Sequence, residues 1–150
     1  MKKPHIMCVF GTRPDAVKMC PLVLELKRRP ELRTTVTLTA QHREMLDQVM
    51  QIFGVQADYD LKIMQEGQTL FDITTKIIEG IKLVLEKVKP DLVLVHGDTS
   101  TAFVTALSVP TTFTRSPTCK VNPGVATKST PARLIRVILI PYNLRSFSCP

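Results

Sequence analysis

After Asp98 the chain has no acidic residue, and before Asn122 it has no asparagine. Four cysteines are present (Cys8, Cys20, Cys119 and Cys149), but no Cys-x-x-Cys pair, so their spacing gives no support to a zinc or redox centre. There is no Gly-x-Gly-x-x-Gly fingerprint and no phosphate loop of the Walker type, which leaves a dinucleotide site or a Walker ATP site without motif support. Long apolar runs are missing too. Leu92–Val95 and Val137–Ile140 fall far short of the ~20 residues that a membrane-spanning helix needs. Lys2 and Lys3 precede a short apolar stretch, Ile6–Phe10, with no small-residue cleavage site after it, a poor match to a secretory signal. The expectation is a cytoplasmic protein with no membrane segment and no bound metal. At 150 residues and 44% hydrophobic content, the chain can build one domain with a real core.

The net charge of +7 is unevenly spread. Residues 1–98 hold 14 Lys or Arg and all 13 Asp or Glu, whereas residues 99–150 hold 6 Lys or Arg and no acid. The excess positive charge therefore belongs to the last third.

Up to Val109 the pattern is one of alternating strands and helices. His5–Phe10 reads as an apolar strand and Gly11–Asp15 as a turn. Ala16–Arg29 reads as a helix with Val17, Leu22, Leu24 and Leu26 inward, ended by Pro30. Arg33–Ala40, rich in Thr and Val, reads as a second strand. His42–Phe53 is an amphipathic helix with Met45, Leu46, Val49 and Phe53 on one side and Gly54 as its stop. Asp58–Met64 is a candidate short strand. Thr69–Lys89 is a long helix closed by Pro90. Leu92–Val95 is an uninterrupted apolar run, as in a strand buried on both faces. Thr101–Val109 begins another helix. Cys8, Cys20, Met45, Met50 and Met64 are expected in the core. Strands alternating with helices imply right-handed crossovers and a parallel sheet, so the expected fold class is a doubly wound α/β domain.

Beyond Val109 the pattern breaks. Pro recurs at 110, 117, 123, 131, 141 and 150, and only Leu134–Ile140 keeps an apolar run. Residues 110–150 fit three descriptions: a natural basic tail, a further domain, or the product of a shifted reading frame. The abruptness of the change favours the last, with residues 1–109 as the domain proper.

Three polar clusters each follow a strand and precede a helix: Gly11-Thr12-Arg13-Pro14-Asp15, Ala40-Gln41-His42-Arg43-Glu44 and His96-Gly97-Asp98-Thr99-Ser100. Open α/β sheets bind ligands beyond the carboxyl ends of their strands. The first cluster suits an anion. Gly11 permits close backbone approach, Pro14 suits a first helical turn, and Arg13 beside a helix N-terminus can fork onto a phosphate. An ordinary turn with a solvated Arg13 fits this cluster equally well. In the third, Asp98 can serve as general acid or base, or Asp98, Thr99 and Ser100 can be simple helix caps. His96 and Gly97 beside them tilt the reading toward a site. His42 has a plain alternative as a partly buried residue at a helix start.

The segments Phe10-Gly11-Thr12-Arg13-Pro14-Asp15-Ala16, Thr39–Val49 and Val95-His96-Gly97-Asp98-Thr99-Ser100-Thr101 resemble, in order and spacing, the bacterial non-hydrolysing UDP-N-acetylglucosamine 2-epimerases. The resemblance covers residues 4–109 or so. It implies one Rossmann-like half of a two-domain, glycosyltransferase B-type fold with the active site between the halves. It implies interconversion of UDP-N-acetylglucosamine and UDP-N-acetylmannosamine for surface polysaccharides, by elimination of UDP to a glycal and re-addition, with no NAD and no metal. It also implies a homodimer. By the same resemblance Arg13 contacts UDP, Gly11 and His96 are substrate-binding residues beside it, Asp98 is an acid needed for catalysis, and Gln41, His42, Glu44 and Gln68 fall where substrate-activated members bind a second substrate molecule. Asp15 stands where Glu is usual, and Gly67 where some members have Arg. The catalytic Glu of a later His-Val-Glu-Ala-Gly segment is echoed only by Asn122, within Lys120–Thr127, and the second domain has no counterpart. The expectation is a truncated isomerase that is inactive alone. The alternatives are a silent nucleotide-sugar-binding fragment and, ranked last because the tail's only aromatics are Phe113, Tyr142 and Phe147, a nucleic-acid-binding protein.

Overall fold

The computed structural model describes residues 3–39, 43–65, 67–112 and 136–140. Their elements are β1 (His5–Phe10), α1 (Arg13–Arg28), β2 (Arg33–Leu38), α2 (Arg43–Phe53), β3 (Tyr59–Asp60), α3 (Leu70–Val88), β4 (Leu92–His96), α4 (Ser100–Thr112) and β5 (Arg136–Ile140). The strands form one sheet in the order β3-β2-β1-β4-β5, and every pairing is parallel. The expected doubly wound α/β architecture is present.

The chain winds outward from β1 in both directions, so the strand order reverses between β1 and β4. β1 is buried along its whole length, which is why it reads as an unbroken apolar run. Its side chains alternate between two cores. Ile6, Cys8 and Phe10 pack with Ala16, Met19, Val23 and Leu46 beneath α1 and α2. Met7 and Val9 pack with Ile77, Ile81, Val93 and Val104 beneath α3 and α4. Two aspartates, each just ahead of a strand, tie it to its neighbour. Asp91 Oδ2 accepts from the His5 amide at 2.9 Å, and Asp58 Oδ2 from the Val36 amide at 2.8 Å.

Several elements differ from the sequence reading. Helix α1 begins at Arg13, because Pro14 seats its first turn. Its buried face is Asp15, Ala16, Met19, Cys20 and Val23. Val17 is exposed, and Leu22, Leu24 and Leu26 flank the core half-buried. β2 ends at Leu38. β3 shrinks to two residues, because Lys62 takes a left-handed backbone (φ 48°) and turns the chain away. In α2 the buried face is Leu46, Val49 and Met50. Met45 lies off it and is exposed, as is Met64, so of these methionines only Met50 is a core residue. Helix α4 runs through Pro110 to Thr112, and β5, from beyond Val109, lies beside β4 with Leu92 opposite Arg136 and His96 opposite Ile140. The change in composition at Val109 is thus not an element boundary. Among the described residues no helix is long and apolar enough to cross a membrane.

Candidate functional site

The point where a parallel sheet reverses its strand order leaves a crevice at the carboxyl ends of the two strands that flank it. Here those strands are β1 and β4, which run into the turns Gly11–Thr12 and Gly97–Thr99 respectively. The first and third polar clusters are therefore neighbours in space.

Gly11 is demanded by crowding. A β-carbon there would collide with Thr39 Oγ1 and come within 2.8 Å of Thr101 Oγ1. Those two hydroxyls bond to each other at 2.7 Å, fixing the end of β2 to the first turn of α4. Thr12 is the N-cap residue of α1, in extended backbone, but its side chain makes no cap bond to the helix backbone. Instead Thr12 Oγ1 donates to Asp15 Oδ2 at 2.7 Å. Arg13 is exposed in the first turn of α1, where the unpaired amides of a helix start favour an anion.

Asp15 is 1% exposed. Its Oδ1 lies 3.2 Å from His96 Nδ1, both side chains being buried, and its Oδ2 also accepts from Thr99 Oγ1 at 3.4 Å. His96, expected as a substrate contact, is thus turned into the protein, where it holds Asp15. Gly97 comes next with a left-handed backbone (φ 79°), a conformation glycine adopts without penalty. Thr99 caps α4, its hydroxyl accepting from the Ala102 amide at 3.3 Å and its carbonyl from the Phe103 amide at 3.0 Å. The capping role left open between Asp98 and its neighbours therefore falls to Thr99. Asp98 is exposed and, among the described residues, has no hydrogen bond or ion pair. It is a carboxylate held at the carboxyl edge of the sheet with its acceptor capacity unspent among the described residues.

The second cluster is only partly described. Gln41 and His42 lie outside the described residues. Glu44 is exposed in the first turn of α2. Gln68 Oε1 accepts from the Gln65 amide at 2.8 Å, while its Nε2 is buried with no partner among the described residues. Neither Glu44 nor Gln68 bonds to the Arg13 or Asp98 turns. A cleft of about 510 Å³ lies elsewhere, lined by Leu38, Asp47, Met50, Gly54, Val55 and Asp60, and holds none of the expected site residues. Cys8 and Cys20 are core residues, as expected. Burial pushes their thiols up, to about 12 and about 11, which keeps them protonated and unreactive.

The sequence reading missed Asp15 as a bridging group. Its signal was available in two forms: the Thr12-x-x-Asp15 spacing of a helix start, and a polar residue in register with Ala16, Met19, Cys20 and Val23.

These features define a Rossmann-like α/β domain with a polar, anion-ready edge at its switch point. The chain belongs to the UDP-N-acetylglucosamine 2-epimerase family, whose model matches residues 24–135. The UDP-N-acetylglucosamine 2-epimerase of Bacillus subtilis is 55% identical over 108 residues, covering 72% of this chain and 28% of that protein. The Salmonella typhimurium enzyme is 51% identical over 122 residues, covering 81% of this chain and 32% of that protein. The crystal structure of the Neisseria meningitidis UDP-GlcNAc 2-epimerase bound to UDP-GlcNAc superposes with a TM-score of 0.67 at 53% identity, over 70% of this chain and 28% of that one. The chain thus spans about a third or less of the length of the relatives it matches.

Proposed function

We propose that this chain supplies one wall of a UDP-N-acetylglucosamine 2-epimerase active site, with Arg13 and Asp98 as its working groups. The carrying observation is that Asp98 is exposed, and without a partner among the described residues, on the turn after β4, beside the turn that carries Arg13. The Arg13 guanidinium, with the first amides of α1, fits a diphosphate. Asp98 fits proton transfer at the sugar. In the reaction the C2 proton and the C1–O bond to UDP are lost together to give a glycal. UDP then re-adds at C1 as a proton returns to the opposite face of C2. That sequence needs proton transfer on both faces and a stabilised leaving group. Arg13 and Asp98 cannot meet all of these demands, so the 150 residues alone bind without turnover, and epimerisation belongs to a two-domain protein of glycosyltransferase B type. Gln41, His42, Glu44 and Gln68 form the candidate second substrate site, and a homodimer is the assembly in which that protein works.

The test is calorimetric titration of the chain with UDP-N-acetylglucosamine and with an arbitrary oligonucleotide, each at two salt concentrations, alongside NMR detection of the 2-epimer. The expected result is UDP-sugar binding that Arg13→Ala abolishes and Asp98→Asn spares, with no epimer formed. Tighter binding of the oligonucleotide with a steep salt dependence would instead assign the basic segment to nucleic acid.

A further inference from the structure

We infer that Asp15 is a positioning residue that locks the anion-binding turn of α1 to the turn bearing Asp98, a reading that rests on the roles proposed for Arg13 and Asp98. A carboxylate can only accept hydrogen bonds, and this one is almost wholly withdrawn from solvent. Its three partners come from two separate parts of the chain: Thr12 from its own helix start, and His96 and Thr99 from the end of β4 and the start of α4. The two parts are more than 80 residues apart in sequence. Thr99 matters most to the argument, because its one hydroxyl both donates to Asp15 and accepts the Ala102 amide. The N-terminus of α4 is therefore tied through a single atom to the N-terminus of α1.

Asp98 sits between two residues affected by this tie: Gly97, whose left-handed backbone comes directly after His96, and Thr99. Arg13 sits between Thr12 and Asp15. Each exposed functional side chain is thus flanked by a member of the buried network, and neither belongs to it. Two catalytic groups must hold their spacing to within a fraction of an ångström to act on one ligand. A buried charge-assisted network is stiffer than turn backbone alone, and it uses none of the atoms that a ligand needs.

The experiment uses the whole 150-residue chain and reads two signals. In the first, two-dimensional NMR compares wild type, Asp15→Asn and, as a control helix start, Thr69→Ala. The lock predicts that Asp15→Asn shifts the His96 ring nitrogens and the Thr99 and Ala102 amides as strongly as Thr12, whereas Thr69→Ala leaves all of them in place. Shifts confined to residues 12–16 would overturn the lock. In the second, UDP affinity falls about ten-fold in Asp15→Asn and in Thr99→Val. Thr99→Ser, which keeps the hydroxyl, and Asp15→Glu, which keeps the carboxylate, retain most of it. Unchanged affinity in both Asp15→Asn and Thr99→Val would refute positioning. A wild-type chain that binds no UDP would sink the proposed function alone, because the NMR comparison judges the lock without ligand.

Discussion

Helices α1 and α3 begin on the same spacing, Thr12-x-x-Asp15 and Thr69-x-x-Asp72, and in both the threonine hydroxyl donates to the aspartate at 2.7 Å. From there they diverge. At α3 the pair closes on itself: Asp72 Oδ2 accepts from the Thr69 amide at 2.9 Å, and Thr69 Oγ1 accepts from the Asp72 amide at 3.3 Å, a complete capping box in solvent. At α1 the threonine makes no cap bond and the aspartate is buried against His96 and Thr99. The spacing sets where a helix can start. What the carboxylate then does depends on what lies over the helix start. Open solvent leaves it to serve its own helix, and the end of β4 recruits it for a contact across the sheet.

If that contrast is real, the two starts should differ sharply when broken. Asp15→Ala strands the buried His96 ring nitrogen and two part-buried threonine hydroxyls and should cost about 3 kcal/mol or more. Thr69→Ala removes one exposed cap and should cost about 1 kcal/mol. Equilibrium denaturant unfolding of the two variants beside wild type measures both. Equal losses would mean that the α1 carboxylate is no more embedded than a surface cap.

The glycines that accompany the helices sharpen the same point. Gly11, one residue before the α1 cap, has the Thr39 and Thr101 hydroxyls packed against the place of its missing side chain. Gly54, after α2, has a left-handed backbone (φ 63°) and open space around it. Gly11→Ala must displace a hydrogen-bonded pair and should cost about 2 kcal/mol. Gly54→Ala bears only the backbone penalty, about 1 kcal/mol. Thermal unfolding of the two variants should rank them in that order, and the reverse order would show that the Gly11 turn can relax.

The fold was largely legible because parallel strands buried on both faces announce themselves as apolar runs. His5–Phe10 and Leu92–Val95 were read in place for that reason. The site was legible as far as its exposed members, since Arg13 and Asp98 sit on turns whose position is set by strand order. Its buried members were not. Apolar periodicity put Val17 inside and treated Asp15 as turn, because hydrophobicity cannot say that a carboxylate has found two partners more than 80 residues away. The same limit put Met45 and Met64 in the core. Both are apolar but exposed: Met45 stands off the face of α2 that Leu46, Val49 and Met50 present, and Met64 lies in the segment after β3.

The smallest expected effect is one of pH, at the exposed start. The Thr69 hydroxyl, and after it the Thr69 amide, hold the Asp72 carboxyl below its ordinary range. A group whose folded pKa lies below its unfolded one binds fewer protons when folded. Its contribution is therefore complete above the unfolded value, about 4, and is lost as pH falls through the folded value. Protonation takes away the charge that the Thr69 amide and hydroxyl favour, so the first turn of α3 should fray while the rest of the helix holds. Carboxyl-detected NMR should find Asp72 titrating below an unfolded reference peptide, with the Thr69 and Asp72 amides losing exchange protection together over the same interval. Thr69→Ala should bring the titration back toward the reference. If Asp72 titrates at the reference value in wild type, the box at α3 is not formed in solution. Helix α3 would then begin without a cap of its own, and its contrast with α1 would lie between a bare helix start and a link across the sheet.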